Sequence, residues 1–117
     1  MKKAYNKILN KLRSICLALP ETKEVEAWGH PTFRAGKKMF AGCGVEDGKW
    51  TLAMKMSFDR QDQLLQDKRF FPTPYAARQG WVSLHLNSKT NWVELRVLIE
   101  EAYRQVAIGR MLKALDA

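Results

Sequence analysis

At 117 residues the chain suits a single domain, residues 1–117, long enough to bury a core without help from metal or disulfides. Its ordinary apolar content excludes a disordered chain, and no apolar run reaches the roughly 18 residues that span a bilayer. Twenty Lys and Arg against 12 Asp and Glu leave a formal charge of +8, which suits a polyanionic partner or simply keeps a soluble protein dispersed.

Residues 2–19 predict an amphipathic helix. Tyr5, Ile8, Leu9, Leu12, Ile15, Cys16 and Leu19 share an apolar face, while Lys3, Lys7 and Lys11 line another. Pro20 stops it, because proline disfavours helix at the residue before it. The lysines near the start are followed by neither the apolar run nor the cleavage site of a signal peptide, so a cytoplasmic protein is expected.

ETKEVEAWG, with its three glutamates, leads into WGHPTFRAGKKMFAG, residues 28–42, which reads as strand, turn and strand with the turn at GKK, 36–38. From Met39, strict alternation sets Met39, Ala41, Cys43 and Val45 against Phe40, Gly42 and Gly44. EDGK at 46–49 supplies the next turn. The run after it places Trp50, Leu52, Met54 and Met56 opposite Thr51, Ala53 and Lys55. Ser57 caps a short helix to about Asp67, with Leu64 and Leu65 as its apolar contacts. RFFPTPYAARQG reads as irregular, since two closely spaced prolines exclude a central strand. A strand from Trp81 sets Val82, Leu84 and Leu86 against Trp81, Ser83 and His85. Asn91 and Glu94 open a long last helix, striped by Trp92, Leu95, Leu98, Ile99, Ala102, Tyr103 and Val106, which Gly109 ends or kinks. The expected fold is α+β: an antiparallel sheet with helices packed on one face, a two-layer sandwich whose other face is left open.

Several segments in order, LP at 19–20, WGHPTF at 28–33, KKMFA at 37–41, LAMK at 52–55, WV at 81–82 and AY in the last helix, resemble the MmcQ/YjbR family. That resemblance covers nearly the whole chain. It implies a YjbR/CyaY-like fold, related to frataxin, in small bacterial proteins described as DNA-binding from a "double wing" comparison. Ala102 stands where the family often has Ser before the Tyr, so any role of that hydroxyl is absent here. The frataxin relationship suggests iron, but a hard cation needs an acidic ridge and the first helix is basic.

No chemistry for catalysis is legible. His30 and His85 are the only histidines, neither has a carboxylate or nucleophile at a familiar spacing, and GCG at 42–44 lacks the setting of a phosphate loop. Cys16 and Cys43 are far apart and read as buried small hydrophobes rather than a disulfide or metal pair. No enzyme activity, cofactor or metal is therefore expected. The candidate nucleic-acid contacts are Arg34, Lys37 and Lys38 on the first hairpin, then Lys55, Arg78 and Trp81 on the open face. Phe33 is expected to pack inside, whereas Trp28 suits either packing or stacking. The competing expectation is a module for a small ligand or an acidic protein. Its surface would be Trp28, Tyr75, Trp81, Ser83 and His85, with PTPY at 72–75 as a lip. A monomer with DNA as its partner, and no membrane, is the first expectation.

Overall fold

The computed structural model describes residues 2–117, with side chains from Lys7 onward; the expected placements of the Lys3 and Tyr5 side chains lie outside the described residues. In chain order the elements are α1 (Lys2–Cys16), β1 (Thr22–Ala27), β2 (His30–Ala35), β3 (Lys38–Glu46), β4 (Lys49–Lys55), α2 (Phe58–Leu65), β5 (Phe70–Pro72), β6 (Trp81–His85), α3 (Trp92–Val106) and α4 (Gly109–Asp116). A single 3-10 turn, Ala77–Gln79, precedes β6.

The strands form one antiparallel sheet in the order β1-β2-β3-β4-β6-β5. Cross-strand partners share a face, so the register sorts the side chains into two layers. Ala41, Met54 and Val82 make one row facing the helices, and Cys43, Leu52, Leu84 and Phe70 make the next. Leu9, Leu12 and Ile15 of α1 and Leu95, Leu98, Ile99 and Tyr103 of α3 complete this core. The two-layer α+β sandwich expected from the sequence is the fold observed.

Helix limits follow local chemistry. α1 stops three residues short of the expected end, and the Thr22 hydroxyl lies 2.8 Å from the carbonyl oxygens of both Cys16 and Leu19. One of these is an orphan acceptor of the last turn. Ser57 accepts from the Arg60 amide at 3.1 Å and Asn91 from the Glu94 amide at 3.1 Å, so both expected caps are present. α3 ends at Val106 and α4 begins at Gly109, as the glycine implied. The Tyr103 hydroxyl, fully buried, donates to the Pro20 carbonyl at 2.7 Å and ties α3 to the segment after α1.

Two strand expectations need correction. Along β2 and β3, Thr32 pairs with Gly42 and Phe33 with Ala41, but Arg34 pairs with Met39. Phe40 is thus an extra residue, a β-bulge, and strict alternation fails there. Phe40 turns inward, wholly buried, with its ring edge-on to Tyr103 at 5.6 Å between centroids. Met39 turns outward to the open face. The second correction concerns RFFPTPY, expected to be irregular: Phe70–Pro72 within it is β5, the outermost strand. Pro72 is tolerated because an edge strand leaves one row of amides unpaired. The opposite edge is β1, whose exposed Lys23 and Glu26 flank the half-buried Glu24. Among the described residues, no helix is long and apolar enough to cross a membrane.

Candidate functional site: the open face of the sheet

The uncovered face has a floor of small side chains. One row runs Val25, Thr32, Gly42, Ala53, Ser83 and Phe71 across all six strands. The next holds Gly44, Thr51 and His85. A Cβ on Gly44 would sit 3.2 Å from the Thr51 hydroxyl oxygen, so the lack of a side chain there keeps the floor low. The hydroxyls of Thr32 and Ser83 are already engaged: Thr32 donates to the Val25 carbonyl, and Ser83 shares a bond of 2.8 Å with Thr73.

Two segments rise over this floor. Ala27 pairs with His30, leaving Trp28 and Gly29 as a two-residue turn with φ of 52° and 77°. Positive φ at both positions is the arrangement whose twist suits a tight hairpin. It points Trp28 outward, 83% exposed. From the other side comes the loop after β5, turned by amides of Ala76 and Ala77 onto the Thr73 carbonyl at 3.2 and 3.0 Å. At its tip Tyr75 is fully exposed, with φ of 65°. Between them lies a groove of about 510 Å³, lined by Trp28, His30, Thr32, Met39, Tyr75 and Trp81 among others. Its walls are mostly apolar, and its volume falls within the roughly 300–1,000 Å³ of small-ligand sites.

The basic candidates gather at one end of this face. Lys23, Arg34 and Met39 are register partners there, as are Lys55 and Trp81. Lys37 and Lys38 stand exposed beside them on the β2–β3 turn, and Arg78 is exposed on the 3-10 turn. The Arg34 guanidinium donates to the Lys37 carbonyl at 3.3 Å, while its Nε is buried with no hydrogen-bond partner among the described residues. Lys55 donates to the Gln79 carbonyl and lies 5.8 Å from the centre of the Phe58 ring. It braces the 3-10 turn while lending its charge to the rim.

Ion pairing leaves this rim uncompensated. Arg13 holds Glu24, Arg60 holds Glu101, Arg69 holds Asp67 and Glu94, Arg104 holds Glu100 and Asp116, and Arg110 holds Glu21. Hydrogen bonds from Arg69 hold the Asp67 and Glu94 carboxyls below their usual range. Arg110 does the same for Glu21 and Arg104 for Asp116. None of the described lysines takes part in an ion pair, so these carboxylates are engaged by arginines elsewhere.

The structure therefore brings Trp28, Tyr75 and Trp81 together on one groove and sets Arg34, Lys37, Lys38, Lys55 and Arg78 along one end of the same face. His85 is separated from them. It sits at the far end, its ring 5.0 Å from that of Phe71, and lines a polar cleft with Lys68, Asn87 and Lys89. Its Nδ1 is buried with no hydrogen-bond partner among the described residues. Phe33 is wholly buried, as expected. His30, Thr32 and Met39 line the groove without having been legible as site residues. The first two could have been found from the alternation of β2, but Met39 could not, since only the bulge exposes it. Among the described residues, no three of His, Cys, Asp and Glu stand where they could hold a metal ion.

The family model for YjbR matches residues 17–105. The chain belongs to the YjbR family. Two solved structures share the fold of this YjbR domain. One is a Deinococcus radiodurans protein with a DUF419 domain, 22% identical over 92% of this chain and 87% of that one, with a TM-score of 0.74. The other is a Pseudomonas syringae protein, 16% identical over 86% of this chain and 96% of that one, with a TM-score of 0.66. No curated protein matches. The YjbR match begins just past α1 and ends one residue short of the end of α3, so it contains the whole sheet and every groove residue named above.

Proposed function

We propose that this YjbR domain is a non-enzymatic nucleic-acid-binding module that holds DNA on its open sheet face by charge rather than by sequence. The observation that carries this reading is the distribution of ion pairs. Among the described residues, seven carboxylates are held by arginines, none of them lining the groove, while Lys23, Arg34, Lys37, Lys38, Lys55 and Arg78 form no ion pair along one end of an uncovered sheet. Such a rim suits phosphates, whose neutralisation releases counterions and gives affinity without base recognition. Sequence reading needs free donors and acceptors, and the Thr32 and Ser83 hydroxyls of the floor are already engaged. The two free thiols accord with a reducing compartment such as the cytoplasm. The apolar groove favours a second reading, a module for a small flat ligand, whose binding would respond little to salt.

A salt series separates the two. Labelled DNA should bind with log K falling linearly against log salt, and Arg34/Lys37/Lys38→Ala should flatten the slope by about 0.7–0.9 for each phosphate no longer neutralised. Absence of DNA binding at low ionic strength would overturn the proposal.

A further inference from the structure

The charged rim accounts for phosphates but leaves the groove beside it without an occupant. We infer that the groove between Trp28 and Tyr75 takes one unpaired heteroaromatic ring whose phosphate lies toward the basic rim, so that the preferred target is an unpaired nucleotide rather than a duplex. This rests on the nucleic-acid reading and deepens it.

Three features argue for a flat ring. First, two large aromatic side chains stand almost wholly in solvent over one apolar hollow, a contiguous exposed patch of the kind that marks a binding groove. Second, both are held in the left-handed region of backbone space, at φ of 52° and 65°, where a bulky side chain is a true outlier. Strain of this kind persists where surrounding structure fixes it and clusters at ligand clamps. Third, the floor is made of Gly42, Ala53 and other small residues, which leaves depth for a ring without offering it a fixed hydrogen-bond pattern. Stacking without such a pattern is the chemistry of sequence-tolerant single-strand binding. A paired base is excluded because its faces are covered by its neighbours in the duplex. Charge complementarity supplies the orientation: Trp81, which lines the groove, is the register partner of Lys55 on the rim.

The same chemistry is offered by a strand and by a free nucleotide, and the test distinguishes them. The wild-type protein would be titrated with a short single strand, an abasic strand of equal length, the duplex, and adenosine monophosphate. The Trp28 indole N–H resonance would report on the groove. The expected result is binding of the single strand about tenfold tighter than the abasic strand and the duplex, with the Trp28 signal shifted. Tyr75→Ala, and Trp28→Asn, which keeps a residue suited to the turn, should each remove most of that advantage. Equal binding of abasic and normal strands with an unmoved Trp28 signal would overturn this inference and leave the phosphate reading standing. Binding of the mononucleotide with no binding of any strand would do the reverse, keeping the ring site while removing the nucleic-acid function.

Discussion

Trp28 and Tyr75 show how a single backbone angle decides what a side chain is for. In a two-residue turn with φ of 52° at the first position, Asn, Asp or Gly would be at ease and Trp is not. Trp28→Asn should therefore raise stability in urea by about 0.5–1 kcal/mol, the scale of the relieved strain, while weakening ligand binding. A fall in stability would mean that the indole contributes packing that its exposure does not reveal. Gly80 shows the opposite constraint. Its φ is 91°, and a Cβ there would lie 2.3 Å from the Met56 carbonyl oxygen, so only glycine fits where the 3-10 turn meets the end of β4.

Among elements, the link between the α2–β5 loop and α3 is electrostatic. Arg69 donates to Asp67 at 2.7 Å and to Glu94 at 2.7 Å, and both carboxyls titrate lower in the fold than in the unfolded chain. A lowered folded value gives stability that is present above the unfolded pKa and lost as pH falls through the folded one. Urea midpoints of wild type and Arg69→Met should thus differ at pH 7 and converge as the pH falls below about 4, by a modest amount because the groups are mostly exposed. A gap that persisted undiminished in strong acid would assign the effect to the packing of the arginine stem.

Element by element, the fold is legible in the sequence wherever burial imposes a period. The α3 stripe of Leu95, Leu98, Ile99 and Ala102, the β4 alternation and both caps can be read because a hydrophobic core or an orphan amide demands those residues. β1 does not stand out as a strand of its own, because an edge strand reading TKEVEA buries too little to leave a pattern. The bulge at Phe40 is not legible either. It obeys a long-range demand, the fit of a ring against Tyr103, which no local alternation encodes. The site is half legible. Trp28, Tyr75 and Trp81 are singled out by residue type, but their convergence depends on β5 placing its following loop over the sheet.

At the scale of the whole molecule, Cys16 belongs to the core as expected, whereas Cys43 is only half-buried and packs against it from the sheet. Burial raises the Cys43 thiol to about 12 and the Cys16 thiol still further, with the nearby Glu24 carboxylate adding to the burial effect in both. Since the thiolate is the nucleophile, neither cysteine should react appreciably with a disulfide reagent at pH 8 in the folded protein, and both should react at once in denaturant. Rapid labelling of the buried Cys16 without denaturant would show that the core opens easily. The charge excess works at the same scale: under the proposed function, the association rate with DNA should fall as salt screens it.

The two free edges of the sheet carry a consequence for what the molecule does to itself. An open β-edge is an invitation to any passing strand, and a domain that also leaves an aromatic face bare would be doubly prone to self-adhesion. Here one border is only three residues long and closes on Pro72, which has no amide to offer. The other border is studded with Lys23, Glu24 and Glu26, so a neighbour adding a strand would have to desolvate charges of both signs. Growth of the sheet sideways into fibrils is thereby discouraged at both margins.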